Sequence, residues 1–379
     1  MDQASASRAR PRPGLALLLA AATLVGPLIP AAVAVAPPGP GGRTASELAD
    51  SDAADAKARA AAARRTGSAW LPYWDDVEAA YQDALQHASQ LHTVSPFWYE
   101  ATSAGVKGHD GAGRRRIING LHRAGIKVVP TVTETLDADA MGDLTHDPQK
   151  RGEHVDALLR MVESRTYDGV DLDYEKMAVT GDKAARERVR TGYNALTSDL
   201  CARLHARGKE CVVTVLARAW GTGEAYDYAH LGKVADRVRI MGYDLHWSGG
   251  ESGPLSSKGW YEEFLRYATN TIPKHKIEVA FPGYGWDWVK GTVGGAGHVT
   301  WKEAEALRKQ EGATYRFDAA SGTPHFTYRQ ADEEHEVWYQ DAQGVRAQMP
   351  LLKKYGVRGT GLWALGFEDP DSWAALRGE

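Results

Sequence analysis

The chain alternates between short apolar runs and longer segments in which apolar residues recur with helical spacing. The apolar runs predict eight β-strands, over residues 68–74, 92–99, 127–133, 167–175, 211–217, 238–244, 276–282 and 359–365. The segments between them predict helices over residues 77–91, 114–124, 152–164, 183–207, 261–270 and 344–355. Most of the strands are apolar along their whole length, which is typical of parallel strands that helices cover.

Eight strand–helix units within about 300 residues predict an α/β fold in which a parallel sheet closes into a (β/α)8 TIM barrel. An open, doubly wound sheet is the alternative, but it normally has a glycine-rich turn after its first strand, and none follows Trp74. The seventh and eighth strands lie about 75 residues apart. Residues 315–318, 325–328 and 336–339 in this interval resemble antiparallel strands, so we predict a small α+β insertion at about 289–340.

The fourth predicted strand, residues 167–175, carries four carboxylates in the pattern Asp-x-x-Asp-x-Asp-x-Glu. Side chains alternate along a strand, so Asp171, Asp173 and Glu175 share one face, and the apolar residues between them share the other. Unpaired buried charge is costly, and a row of carboxylates on one face therefore indicates chemistry rather than stability. The alternative is a solvated edge strand with its acidic residues turned outward.

Active sites of such barrels lie at the carboxyl ends of the strands. The residues at these ends form one acidic cluster ringed by aromatic side chains: Tyr73, Trp74, Phe97, Tyr99, Thr133, Glu134, Glu175, Arg218, Tyr243, Asp244, Tyr284 and Trp363. Glu175 is expected at the mouth of the barrel, with Asp173 about 6–7 Å below it. Like charges this close raise the pKa of at least one carboxyl, which provides a general acid near neutral pH.

The same three carboxylates could instead bind Mg²⁺ or Ca²⁺, which prefer oxygen ligands. The aromatic ring around them offers few further oxygen ligands, and the strand ends show no histidine set. We therefore expect neither a metal nor a cofactor, and removal of divalent ions with a chelator would decide between the two readings.

Composition narrows the range of substrates. A net charge of -4 indicates no concentrated basic face of the kind that nucleic-acid binding requires. The chain has 12 Trp and 16 Tyr but only 6 Phe, and Trp and Tyr combine a flat apolar face with a polar edge that suits sugar rings. These residues can equally pack in a core, so the composition favours a carbohydrate ligand without establishing it.

The first 36 residues have the features of an export signal. Arg8, Arg10 and Arg12 form a basic start, an apolar run over 15–33 follows, and small residues near Ala34 offer a cleavage site. An uncleaved membrane anchor is the alternative. We predict a signal peptide at 1–36, a Pro/Gly- and Ala-rich linker at 37–66 and one catalytic barrel at 67–379, in a secreted monomer without stable membrane association.

Two cysteines, Cys201 and Cys211, lie at the end of a predicted helix and the start of the next strand. In an exported protein they can form one disulfide, but their spacing is equally compatible with two buried thiols.

The acidic motif resembles the signature of glycoside hydrolase family 18, the chitinase family: Asp168, Asp171, Asp173 and Glu175 match it at every position. Further segments agree over roughly residues 68–370, at 95–99, 241–244, 281–286, 337–341 and 361–363. Within the family, the chain looks most similar to bacterial cell-wall and spore-cortex N-acetylglucosaminidases.

The resemblance implies substrate-assisted retaining hydrolysis, an exception to the two-carboxylate scheme. Glu175 would protonate the glycosidic oxygen and later activate water, while the 2-acetamido oxygen of the substrate attacks the anomeric carbon. Asp173 would hold the acetamido N–H, with Asp171 beneath it tuning its protonation, and Tyr243 would donate its hydroxyl to the same group. Among the implied substrate-binding residues, Asp244 would fix the sugar and Trp363 would form the floor under its ring. The others are Tyr73, Phe97, Tyr99, Arg218, Tyr284 and Trp286. Asp168 is expected to have a structural role.

We therefore predict a secreted hydrolase of β-1,4 bonds at N-acetylglucosamine, in chitin-type or peptidoglycan glycans. A carbohydrate-binding lectin on the same barrel is one alternative, although such proteins typically lack the terminal acid that Glu175 supplies. An endoglycosidase that acts on protein-linked N-glycans is another. The choice among these substrates, and between endo and exo action, depends on cleft walls that the sequence does not describe.

Overall fold

The computed structural model describes residues 66–379. The predicted signal peptide, and the predicted linker except its last residue, lie outside the described residues. The strands are β1 Gly67–Leu71, β2 Leu91–Thr102, β3 Gly105–Gly108, β4 Lys127–Val128, β5 Thr131–Glu134, β6 Gly169–Asp173, β7 Glu210–Leu216, β8 Arg237–Met241, β9 Ile277–Pro282, β10 Tyr284–Val289, β11 Gly297–Thr300, β12 Arg316–Asp318, β13 Thr323–Gln330, β14 Glu333–Tyr339 and β15 Gly359–Trp363.

Helices lie between these strands in the sequence and after the last of them. They are α1 Val77–Gln86, α2 Arg115–Arg123, α3 Ala138–His146, α4 Pro148–Glu163, α5 Lys176–Val179, α6 Lys183–His205, α7 Tyr228–Val234, α8 Lys258–Thr271, α9 Trp301–Gln310, α10 Ala342–Tyr355 and α11 Ser372–Leu376. No helix within residues 66–379 is both long enough and apolar enough to cross a membrane.

The predicted (β/α)8 barrel is confirmed. Parallel strands follow one another in the order β1, β2, β5, β6, β7, β8, β9 and β15, and β15 pairs with β1 to close the ring. The two-residue strand β4 pairs with β2 just before β5, so the two together occupy the third position of the barrel. The acidic strand β6 is therefore the fourth of eight, between β5 and β7.

The two faces of β6 have different environments, as the alternation of its residues predicts. Val170, Leu172 and Tyr174 are fully buried in the hydrophobic layer between the strands and the helices. Asp171 and Asp173 are turned to the inside of the barrel and are also buried. The interior of this barrel is consequently polar, and its side chains position the site.

A second, antiparallel sheet of five strands lies between β9 and β15 in the sequence, in the order β11-β10-β14-β13-β12. It begins at Tyr284, ahead of the position near 289 expected from the sequence, and it includes two strands and a helix, α9, that the pattern did not predict. Only Gly283 separates β9 from β10. A Cβ atom at Gly283 would lie 2.7 Å from the backbone nitrogen of Glu368, so the sheets meet at a position that only glycine fits.

Cys201 and Cys211 form a disulfide, with their Cα atoms 5.2 Å apart. The bond joins helix α6 to strand β7, next to the acidic strand.

Candidate active site

The acidic strand delivers its last carboxylate just beyond its own end. Asp173 is the final residue of β6, and Glu175 precedes the short helix α5 as its N-cap residue. Strand β6 packs tightly against β7, since a Cβ atom at Gly169 would lie 2.2 Å from the carbonyl oxygen of Glu210. Glycine is therefore required at the base of the strand that carries the carboxylates.

A cleft of about 340 Å³ opens at the carboxyl ends of the barrel strands. Its lining brings together eight of the predicted site residues: Phe97, Asp173, Glu175, Tyr243, Asp244, Tyr284, Trp286 and Trp363. Five further residues complete the lining, namely Trp74, Leu216, Met241, His298 and Phe367.

Asp171 lies beneath the cleft, where four donors satisfy its carboxylate. The Thr214 hydroxyl donates to Oδ1 at 2.8 Å. Trp70 Nε1, the Thr131 hydroxyl and Arg239 Nη1 donate to Oδ2 at 3.2, 2.9 and 3.0 Å. With both oxygens engaged and no exposed surface, Asp171 is held in one orientation and cannot contact a substrate.

Asp173 is almost completely buried, and its Oδ1 has no hydrogen-bond partner among residues 66–379. Burial raises the pKa of Asp173 well above its usual range, and the carboxyls of Glu175, Asp171 and Glu134 add to the increase, while Arg239 opposes it. Asp173 thus holds a proton more tightly than a free carboxyl does, and its unpartnered oxygen in the cleft suits it to meet a polar group of a bound ligand.

Glu175 lines the cleft above Asp173 and is partly exposed to it. Burial raises the pKa of Glu175 to about 7, and the nearby Asp244 carboxylate contributes to the increase. A carboxylic acid with this pKa can donate a proton near neutral pH and accept one back in a later step.

Asp244 is fixed at the cleft edge by two aromatic side chains. The Tyr284 hydroxyl donates to its Oδ1 at 2.5 Å, and Trp286 Nε1 donates to the same oxygen at 3.0 Å. Desolvation in the cleft raises the pKa of Asp244, although both of these hydrogen bonds favour its charged form. Asp244 also has a positive φ of 61°, so its backbone as well as its side chain is specifically placed.

A group of aromatic rings packs together in and next to the cleft. The Trp363 ring centroid lies 4.9 Å from that of Phe97, 5.6 Å from that of Trp70 and 6.1 Å from that of Trp74. Trp363 is partly exposed to the cleft, whereas Trp70 beneath it is buried. The cluster offers a flat apolar surface in the same cleft as the carboxylates, and such a surface suits the apolar face of a sugar ring.

Three predicted substrate-binding residues, Tyr73, Tyr99 and Arg218, are not among the residues that line this cleft. Tyr99 is buried in the barrel wall, where its hydroxyl pairs with that of Tyr167 at 2.8 Å. Tyr73 stacks on His109 with a centroid separation of 4.0 Å. The Arg218 guanidinium lies over the Tyr267 ring and donates to the Tyr226 carbonyl oxygen, so its interactions are structural.

A break in the alternation of strand β2 explains the position of Tyr99. Phe97 pairs with Thr131, but the register shifts, and Tyr99 pairs with Val132 rather than Thr133. Thr131 faces the barrel interior, where it contacts Asp171, whereas Val132 belongs to the outer hydrophobic layer. Tyr99 therefore points outward although it lies two residues beyond Phe97, and a β-bulge of this kind reverses the faces of all later residues.

Two charged residues at the site were not among those predicted to act there. Arg239 is fully buried inside the barrel beside Asp171. Glu134 ends strand β5 and accepts the backbone N–H groups of Glu175 at 3.0 Å and Met177 at 2.8 Å. Burial raises the pKa of Glu134 to about 8, against the effect of these two donors. The sequence did contain a signal for each residue. Arg239 is a charged residue inside the apolar strand 238–244, and Glu134 lies at the end of a predicted strand.

Glu134→Gln tests whether this carboxyl holds the acid in position. Glutamine keeps one acceptor oxygen, so one of the two backbone N–H groups faces an amide donor, and we expect a loss of about 1–3 kcal/mol of unfolding free energy. Turnover should fall as well, because the backbone of Glu175 is released. Thermal unfolding and kcat measure the two effects. Glu100→Gln is the control, since Glu100 forms an ion pair with the exposed Lys107, and equal losses in both variants would contradict the assignment.

The assembled site has one carboxyl that can donate a proton, one buried carboxyl with an unpartnered oxygen, and a group of aromatic rings. It can therefore protonate a leaving group from one side while it holds an apolar ring face and a polar substituent on the other. The arrangement suits the cleavage of a bond to a sugar.

Comparison with known proteins agrees with this chemistry. The family model for "Glycosyl hydrolases family 18" matches residues 72–368. The uncharacterized glycosylase YvbX of Bacillus subtilis is 27% identical over 250 residues, which cover 64% of this chain and 70% of the relative. The cortical fragment-lytic enzyme of the same species is 30% identical over 200 residues, and the match spans 50% of this chain and 46% of that enzyme.

Among solved structures, a chitinase from Chromobacterium violaceum superimposes with a TM-score of 0.74 at 27% identity, covering 83% of this chain and 98% of the chitinase. The match to the family model extends over most of the chain and includes every residue that lines the cleft. The chain belongs to family 18 of the glycosyl hydrolases, and it is a glycosidase of that family.

Proposed function

We propose that the protein hydrolyses β-1,4 bonds at N-acetylglucosamine residues in chitin-type or peptidoglycan glycans, by a retaining mechanism in which the substrate's own acetamido group is the nucleophile. One observation carries the proposal: Glu175 and Asp173 both line the cleft above a partly exposed Trp363. The carboxyl with a pKa near 7 suits a general acid, and the buried carboxyl below it suits an acetamido partner.

In the proposed mechanism Glu175 gives its proton to the glycosidic oxygen as the acetamido oxygen attacks the anomeric carbon. The glycosidic bond breaks, a bond from the acetamido oxygen forms, and the leaving sugar takes the proton. Asp173 accepts the acetamido N–H and stabilises the positive charge of the oxazolinium-like intermediate, while Tyr243 donates its hydroxyl to the same group. Glu175 then removes a proton from water, which opens the intermediate with overall retention.

Asp244, Phe97, Tyr284, Trp286 and Trp363 would hold the sugar in this scheme. All five line the same cleft, and Asp244 is itself held by Tyr284 and Trp286. Asp171, with four donors, would act only through Asp173. No role in substrate binding is proposed for Tyr73, Tyr99 or Arg218.

Product analysis tests the proposal. The protein is incubated separately with chitin oligomers, with peptidoglycan glycan stripped of its stem peptides and with a protein-linked N-glycan, and the products are separated by mass. We expect new reducing ends at N-acetylglucosamine in one or both of the first two. Cleavage of the N-glycan alone would favour an endoglycosidase, and binding without cleavage of any of the three would favour a lectin.

The pH dependence of turnover follows from the pKa of Glu175, about 7. The acid works only while protonated, so kcat/KM should fall as pH rises through about 7. Because the Asp244 charge contributes to the raised pKa, Asp244→Asn should move this fall to lower pH. A profile that stays flat to pH 9 would contradict the role of Glu175 as the acid.

Removal of divalent metal should leave activity intact. Both oxygens of Asp171 already accept hydrogen bonds from protein donors, one of them the Arg239 guanidinium, so Asp171 is not free to ligate Mg²⁺ or Ca²⁺. The measurement is the hydrolysis rate before and after dialysis against a chelator. Loss of activity that added metal restores would contradict the metal-free mechanism.

We also propose that the protein is exported, with residues 1–36 as its signal and 37–66 as a linker to the barrel. The basic and apolar pattern of the first 36 residues supports export. The disulfide between Cys201 and Cys211 also supports it, because such bonds persist mainly in oxidising compartments. Mass spectrometry of the mature N-terminus from culture medium tests this proposal.

A further inference from the structure

A buried cation stands inside the barrel directly below the carboxyl row, by which we mean Asp171, Asp173 and Glu175. Arg239 extends from β8 and has no exposed surface. Its Nη1 donates to Asp171 Oδ2 at 3.0 Å and to the Ser95 hydroxyl at 3.1 Å, and its Nε donates to Glu278 Oε2 at 3.0 Å. One guanidinium thus links the row above to a carboxylate below it.

The lower end of this link is firmly anchored. Glu278 accepts a hydrogen bond from the Ser68 hydroxyl at 2.8 Å, and His92 Nε2 and Arg237 Nε each lie 3.1 Å from its Oε1. Arg239 and the other cations around it hold the pKa of Glu278 well below its usual range, despite burial. Glu278 is therefore a fixed anion that balances part of the Arg239 charge.

Besides its hydrogen bond to Asp171, Arg239 interacts with the cleft in two ways. The Arg239 guanidinium lies 4.4 Å from the Trp70 ring centroid, and Trp70 donates to Asp171 and packs against the Trp363 ring. Arg239 also opposes the proton affinity of Asp173, although the two side chains share no hydrogen bond.

We propose that Arg239 is a positioning residue for the reaction: it holds Asp171 in one orientation beneath Asp173 and places a buried positive charge under the two carboxyls of the cleft. The inference rests on the proposed function, because Asp173 is the carboxyl that the acetamido group would contact. Asp171 accepts hydrogen bonds from Arg239, Trp70 and two threonine hydroxyls at once, so Arg239 is one of the four groups that fix its orientation.

The charged and titratable groups around Arg239 determine the sign of the test. Asp171 and Asp173 lie on β6, and Glu134 and Glu175 act on Asp173 from nearby. Glu278 lies on β9, with His92 of β2 and Arg237 of β8 beside it. Without the guanidinium, Asp173 holds its proton more tightly, because Arg239 opposes its proton affinity. Without Glu278 the full cationic charge acts on Asp173, and its proton is held less tightly.

The experiment measures kcat and KM from pH 4 to 9 for the wild type and matched variants on an N-acetylglucosamine oligomer. Arg239→Gln should shift the pH profile to higher pH, by about 1 pH unit, because it removes the positive charge that opposes the proton affinity of Asp173. Arg239→Lys, which keeps the charge, should return the profile toward that of the wild type. Arg237→Gln is the control, because Arg237 contacts Glu278 and Glu210 but is not paired with the carboxyl row, and a much smaller shift is expected.

Glu278→Gln keeps Arg239 in place and should shift the profile to lower pH, which tests the inference even if Arg239→Gln does not fold. Unshifted profiles in both variants, with kcat reduced equally at every pH, would mean that Arg239 is only structural and would overturn the inference while the proposed function stands. A wild type that hydrolyses no N-acetylglucosamine glycan would overturn the proposed function, and the inference with it.

Discussion

Glu175→Gln is expected to lower kcat by about 10²–10⁴-fold, the usual contribution of a positioned general acid. Glutamine preserves the size of the side chain but has no proton to give to the glycosidic oxygen. Because Asp173, Tyr243 and Trp363 remain in the cleft, the affinity for an N-acetylglucosamine oligomer should stay near that of the wild type. Steady-state kinetics and calorimetric titration measure the two quantities.

The control for this variant is Glu224→Gln, which changes an exposed carboxylate in the loop after β7 and should leave both quantities unchanged. Turnover near the wild-type rate in Glu175→Gln would remove Glu175 from the mechanism. Loss of binding together with turnover would show instead that Glu175 shapes the cleft, and the role of acid would then need a different residue.

Asp173→Asn is expected to lower kcat by about 10²–10³-fold, comparable to the loss of one group that stabilises charge in a transition state. Asparagine can still meet the acetamido group, but it cannot supply the negative charge that balances the positive charge of the intermediate. The substrate's ground state is affected less, so KM should change little. The ratio of the effects on kcat and KM, measured on the same oligomer, distinguishes this role from simple binding.

Asp168→Asn is the matched control, because Asp168 belongs to the same motif but lies at the base of β6. Its Oδ2 accepts from the Val128 backbone N–H at 2.7 Å and pairs with His122 Nε2 at 2.8 Å. We expect Asp168→Asn to cost about 1–3 kcal/mol of stability and to leave kcat near the wild-type value. Equal losses of kcat in the two variants would mean that Asp173 supports the strand rather than the reaction.

The barrel could be predicted from the sequence because its signal is local and repeated. Each parallel strand is a short apolar run, and in each covering helix the apolar residues recur with helical spacing. The two faces of the acidic strand could be predicted for the same reason. The alternation of side chains assigns Asp171 and Asp173 to one face and Leu172 to the other, whichever strands lie beside it. The structure places these residues inside the barrel and in the outer layer respectively.

Contacts between distant segments could not be read in the same way. The register shift after Phe97 turns Tyr99 into the barrel wall, and nothing in the local alternation marks it. The second sheet starts one residue after β9 because Gly283 lets the chain pass close to Glu368, which is 85 residues away in the sequence. In the sequence Arg239 is an isolated charge in an apolar strand, because its partners Asp171 and Glu278 lie on other strands, β6 and β9.

The most direct test of the proposed mechanism compares two aryl β-glycosides that differ only at the reacting sugar: a disaccharide of two N-acetylglucosamine units, and the same compound with glucose in place of the unit that bears the aryl group. If the acetamido oxygen is the nucleophile, release of the aryl group should be measurable only from the first, and it should require Glu175. Equal rates of release from both glycosides would contradict the mechanism, because a sugar without an acetamido group would then react as well.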